Sequence, residues 1–154
     1  MNILKRFQIA LIVGVVSATA MGTYLYWIEQ MTGKQLYTLL MNIDFIYQPD
    51  DNMNSQLFAV FEFSLHVLVA IIMVLIYLFM IQREFFKNRR FELAAIITFV
   101  AFLTYFPLTI LAQTETPAIT DFVAISDWFL AHVIFFFIFY YFTEFLMKKV
   151  NFNI

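Results

Sequence analysis

Residues 57–82 read LFAVFEFSLHVLVAIIMVLIYLFMIQ, an apolar run whose one charged residue is Glu62. At 1.5 Å of rise per residue, such a run is long enough as a helix to cross the roughly 30 Å hydrocarbon core of a bilayer. Three similar stretches flank it. Residues 7–28 and 93–112 carry no charge, and residues 128–147 carry only Glu144. The pattern predicts an all-α fold, a four-transmembrane-helix bundle forming one integral membrane domain over residues 1–154. Composition agrees. The chain is 63% hydrophobic and 13% charged, against about 45–50% and about 25% in ordinary soluble domains. Only lipid removes the need to hide that much apolar surface.

Basic residues set the expected orientation. Lys5 and Arg6 precede the first span, Arg83, Lys87, Arg89 and Arg90 fill the loop between spans two and three, and Lys148 and Lys149 follow span four. Lys34 alone lies in an opposite loop. An excess of Lys and Arg marks the cytoplasmic face, so both termini are expected there. The chain is thus expected to be a multi-pass protein of a membrane that borders the cytoplasm. The opposite loops hold Glu29, Asp44, Asp50, Asp51, Glu115, Asp121 and Asp127. Tyr24, Tyr26, Trp27 and Trp128 fall at the outer span ends, where amphipathic rings favour the headgroup level. The rival reading of the N-terminus is a signal peptide cleaved after Ser17-Ala18-Thr19-Ala20. The apolar run continues to Ile28, which is span length.

In the first outer loop, Leu36, Leu39, Leu40, Ile43, Ile46 and Tyr47 recur at helical spacing. They predict a short amphipathic helix, lying on the membrane surface or packed as a lid over the bundle. Pro49-Asp50-Asp51-Asn52 predicts a turn before span two. Span one carries Ala10, Gly14, Ala18 and Gly22, one small residue every fourth position. Such a strip lets another backbone approach closely. The partner is either a second span of this chain, or another copy or a different membrane protein. Pro107 removes a backbone donor within span three and predicts a kink there. Thr104, Tyr105 and Thr109 are the neighbours placed to re-satisfy the backbone.

Ionisable side chains cluster toward the outer half. Glu62 and His66 stack four apart on one helical face. Counted from Leu57, they lie about 8 Å and about 14 Å below the outer end, and His132 lies at about 6 Å counted from Trp128. Asp127 stands at the mouth of span four. Tyr105, Thr109 and Gln113 line one stripe of span three, with Thr98 a further seven residues back. A carboxylate in hydrocarbon must find a partner, and His66 is nearest to Glu62, so the cluster is expected to be a proton-responsive unit. Glu144 is expected to pair with Lys148 one turn away.

Several alternatives stand beside that reading. Glu62, His66 and His132 form a hydrogen-bonded structural network, or they ligate a divalent metal. Two histidines also suit a b-type haem, although the difference in counted depth opposes it. The chain has no cysteine, which removes disulfides, thiolate metal sites and a cysteine nucleophile. No catalytic triad or phosphate loop is present, so no enzyme and no cofactor is expected. A net charge of −2 suggests no nucleic-acid partner.

From Phe58 onward the chain resembles the YagU-like family of bacterial inner-membrane proteins. The shared features are His66 in a long apolar span, Phe106-Pro107 in the next, the Thr116-Pro117 turn, and Ala131-His132 entering an aromatic last span. Gly14-Val15-Val16-Ser17 also looks like the family's opening. Trp128 stands where the family carries an acidic residue. The resemblance implies a role in survival in acid, with His66, Pro107 and His132 on motif positions.

Overall fold

A computed structural model describes residues 2–47 and 55–150, so the Pro49–Asn52 turn lies outside the described residues. The architecture is all-helical, with four helical stretches long and apolar enough to cross a membrane. The first is α1 (Ile3–Thr32) and the second α3 (Ser55–Met80). The third is broken into α5 (Arg90–Phe102) and α6 (Tyr105–Leu111). The fourth runs through α7 (Phe122–Phe137), a π-helical segment (Ile138–Phe142) and α8 (Thr143–Lys149). Two short helices complete the order, α2 (Leu36–Met41) between spans one and two and α4 (Glu84–Lys87) between spans two and three. All four spans extend past the apolar runs at one or both ends: turns bearing charged or polar residues continue the helix at 3–6, 29–32, 55–56, 90–92 and 148–149, and span four begins earlier, at Phe122.

Span one is the hub, touching α2, α3, α7, α8 and the π segment. The strip of small residues explains why. Ala10, Gly14, Ala18 and Gly22 are all buried. A Cβ placed on Gly14 would lie 2.6 Å from Ile71 Cγ1, 2.8 Å from its backbone N and 2.9 Å from its Cα. The seam is therefore spent inside the chain, against span two. Gly22 is looser: its added Cβ would meet Phe63 at 3.7 Å.

Polar contacts fasten both ends of the bundle. At one end the Arg6 guanidinium donates to Gln82 Oε1 at 2.6 Å and lies 5.0 Å from the Phe79 ring centre, clamping span one to span two. At the other end α1 stops at Gly33, whose φ of 70° is the left-handed geometry a glycine allows. Lys34 then forms an ion pair with Asp121. Asp121 also caps α7, accepting from the Val123 and Ala124 amides at 3.1 Å each. One carboxylate thus ties the first interspan loop to the start of span four.

The loop helix is shorter than its apolar spacing suggests. It ends at Met41, because the Asn42 side chain accepts from the Asp44 amide at 2.7 Å and donates to Thr114 Oγ1 at 2.9 Å. That side chain offers the backbone a turn in place of another helical bond. Leu36 and Leu39 are wholly buried. Glu29 of α1 accepts from the Thr38 amide at 2.9 Å and its hydroxyl at 3.0 Å. Residues 36–41 pack onto spans one and two.

The break in span three lies at Leu103–Thr104, just upstream of Pro107, which occupies the first turn of α6. Proline is tolerated there because early amides lack intrahelical acceptors. The Phe102 carbonyl accepts from the Trp128 indole N–H at 3.1 Å, and Ala101 O accepts from Thr104 Oγ1 at 2.6 Å. The reserve donor is thus mainly Trp128 from span four. Tyr105 instead donates to Ala118 O at 3.0 Å, and Thr109 to Phe106 O at 2.9 Å.

Candidate functional site

His66 and His132 are brought near one another from different spans, and no hydrogen bond joins Glu62 to the His66 Nε2 among the described residues. Helix α3 begins at Ser55 and α7 at Phe122, so the two histidines lie eleven and ten residues inside their helices. At 1.5 Å per residue both sit about 15–17 Å in. The depth difference counted from the sequence disappears, because span four starts six residues before Trp128. The two imidazoles lie within electrostatic range of each other. The His66 Nε2 is buried with no hydrogen-bond partner among the described residues. His132 is 5% exposed, and its Nδ1 stands 2.8 Å from the Trp128 carbonyl oxygen. A carbonyl only accepts, so the ring proton sits on Nδ1 and Nε2 carries a lone pair. The His132 ring also packs 5.0 Å from Trp128 and 6.1 Å from Phe102.

Glu62 belongs to another neighbourhood. Its carboxyl interacts with Asp44 and with the Tyr37 hydroxyl, toward the loop helix. Burial, then the Glu29 and Glu62 charges, push the Tyr37 phenol up from its usual value. Positions 62 and 66 remain one turn apart on the unbroken α3, with Glu62 toward Tyr37 and Asp44 and His66 toward His132 of span four.

The remaining sequence candidates serve the scaffold. Asp127 Oδ1 accepts from the Tyr24 hydroxyl at 3.4 Å, joining spans one and four. Tyr105 and Thr109 are spent on the carbonyls described above. The Gln113 backbone N–H donates to Asp44 Oδ2 at 2.9 Å, and the Thr114 backbone N–H to the same oxygen at 2.6 Å. The Tyr105 and Thr109 hydroxyls are therefore engaged within the third span and its following loop. Thr98, from the same span, is buried and donates to Ala94 O at 2.9 Å.

Among the described residues, no three His, Asp or Glu side chains are grouped as metal ligands would be, and Glu62, His66 and His132 in particular are not. A haem clamp needs both imidazoles to face one slot. A groove of about 410 Å³ between α5 and α7 borders His132 but not His66, so the two rings do not bracket it.

Two arrangements escaped the sequence reading. Glu144 pairs with Arg90 at 3.2 Å and accepts from the Tyr77 hydroxyl at 2.8 Å, in place of the expected contact with Lys148. The signal was present: Arg90 opens span three and Glu144 closes span four at the same end of the bundle. Trp128 is 1% exposed, so it is a core residue and not a headgroup anchor. Ser17 Oγ, on the inward face of span one, is likewise buried without a hydrogen-bond partner among the described residues, as are Arg6 Nε and Asp44 Oδ1. The register that sets Gly14 against Ile71 and Gly22 near Phe63 places Ser17 level with Leu68, within one helical turn of His66.

No protein-family model, curated protein or solved structure matches the chain, and nothing among them bears on the YagU-like resemblance.

Proposed function

We propose that this chain is a non-enzymatic, multi-pass protein of a bacterial inner membrane, with both termini cytoplasmic, whose His66–His132 pair responds to protons. The supporting observation is the pair itself: two imidazoles from different spans, at one depth, with the His66 Nε2 enclosed and unpartnered. The titratable group within electrostatic range of His66 is His132, and the His132 ring meets Trp128 and Phe102. The pair has two accessible states, neutral and singly protonated, because a second proton would meet a like charge. A proton taken up at His132 places a cation beside the Trp128 ring, which attracts it. Protonation therefore changes how span four meets spans two and three. The YagU-like resemblance supplies the biological setting, tolerance of acid or of envelope stress.

A partner-protein reading needs a face other than the Ala10/Gly14/Ala18/Gly22 strip, which is occupied by span two. Lipid is then the principal partner.

The test begins with the purified protein in lipid nanodiscs. Trp27→Phe leaves Trp128 as the sole tryptophan, and its emission is followed from pH 8 to pH 4. The proposal expects a reversible decrease on acidification that His132→Gln abolishes and His66→Gln displaces. Emission that ignores pH, or that changes identically in all three proteins, rules out the proton-responsive pair. In cells, the two Gln variants should lower acid survival and let internal pH fall further at equal expression.

A further inference from the structure

The groove between α5 and α7 has a chemistry of its own. Its volume of about 410 Å³ lies within the range of small-molecule sites. The rings of Phe99, Phe102, Phe129 and Phe136 form its walls, and Thr98 and His132 are its polar side chains. The Thr98 proton is spent on Ala94 O. The His132 proton is spent on Trp128 O, which leaves Nε2 as an acceptor. His132 is only 5% exposed, so bulk water is not the standing partner of that nitrogen. An occupant thus meets an aromatic wall and one acceptor, and complementarity requires it to bring one donor.

That requirement selects among molecules found in a bilayer. Acyl chains carry no donor. An ammonium donor would place a charge among four phenylalanines, and a carboxylic acid would ionise beside an imidazole and do the same. A neutral hydroxyl on a flat ring meets both conditions, because the ring packs edge-to-face against phenylalanine. We propose that this groove binds a lipid-soluble phenol, the class that includes hydroquinone head groups, with its hydroxyl donating to His132 Nε2 and its ring against Phe102 and Phe129. The inference uses His132 as a hydrogen-bond acceptor and not as half of a titrating pair. It stands or fails separately from the function proposed above.

The test uses the full chain in nanodiscs at pH 7.5 with Trp27→Phe, so that Trp128, 5.0 Å from the His132 ring, reports on the site. One probe is 4-hexylphenol. The other is 4-hexylanisole, the same ring and tail with the donor methylated. After correction for partition into lipid, hexylphenol should quench saturably and bind at least tenfold more tightly than hexylanisole, a difference of about 1.4 kcal/mol. His132→Phe should erase that preference. Equal binding of the two probes, or no saturation by either, overturns the proposal and leaves the groove as a slot for acyl chains. The probe comparison keeps His132 in place, so its outcome does not depend on the folding of the variant. A geranylated hydroquinone that binds more tightly than hexylphenol assigns the site to quinol head groups. Equal affinity assigns it to phenols at large.

Discussion

Gly14→Ala adds one methyl group at the tightest point of the bundle. The new Cβ would lie 2.6 Å from Ile71 Cγ1, and 2.8 Å and 2.9 Å from the Ile71 backbone N and Cα. Ordinary carbon contacts stand at about 3.5–4.0 Å. Rotating the isoleucine side chain relieves the first clash but not the other two, so spans one and two must separate by nearly 1 Å. Overpacking of this kind costs about 1–3 kcal/mol, and a clash with backbone belongs at the upper end. Alanine recovers about 1 kcal/mol of helix propensity over glycine. The net expectation is a loss of about 2 kcal/mol. Gly22→Ala provides the control. Its nearest neighbour would be 3.7 Å away, an ordinary contact, so propensity dominates and stability should hold or rise by up to about 1 kcal/mol. Reversible unfolding in mixed micelles, followed by helical circular dichroism, measures both variants. If Gly14→Ala is as stable as the parent, or if Gly22→Ala is the more damaging change, the close α1–α3 seam is wrong. Ile71→Ala in the Gly14→Ala background should restore only part of the loss, since the backbone clashes remain.

Trp128→Phe removes the donor to Phe102 O at the break in span three and should cost about 1–3 kcal/mol by the same assay, whereas Trp27→Phe should be silent because Trp27 is 58% exposed. Arg90→Ala leaves Glu144, 17% exposed at its side chain, with Tyr77 as its remaining donor, and should destabilise by about 1–3 kcal/mol. Glu144→Gln keeps an acceptor for Tyr77 and should be milder, and a double-mutant cycle should show coupling between positions 90 and 144. The Lys34 ammonium, then the Ala124 amide, hold the Asp121 carboxyl below its usual value. A lowered carboxyl contributes stability above its unfolded value, here 3.8, and loses that contribution as pH falls through its folded value. Stability should therefore decline below about pH 4, and Asp121→Asn should flatten that acid limb while it retains a cap for α7.

The spans were legible because lipid imposes a length and a polarity on every crossing helix, and residues 57–82 meet both with one charge. The loop helix was legible in kind but not in extent, since apolar spacing over 43–47 does not reveal that the Asn42 side chain turns the chain. The site was only half legible. His66 and His132 were both candidates, but counting depth from Trp128 put them on different levels. An indole near a span end has two possible fates, the headgroup layer or a hydrogen bond across the bundle, and the Phe102 carbonyl that decides between them is exposed only by the break in the neighbouring span. Helical spacing gives neighbours within one helix, and it could not show that Tyr37 and Asp44, from the preceding loop, lie within electrostatic range of the Glu62 carboxyl.

The π segment in span four has a consequence for the phase of that helix. Phe135, Phe139, Thr143 and Met147 are all buried, and they recur every fourth residue. A regular α-helix turns by about 100° per residue, so a strict repeat of four swings the inward stripe by about 40° at each step. The wide turn at Ile138–Phe142 absorbs that drift and keeps one stripe inward along the whole span. Removing a single residue there would leave the end of the span helical but rotate it by about a quarter of a turn. Glu144 would then swing away from Tyr77 and Arg90 with no change in its own composition or surroundings in the sequence.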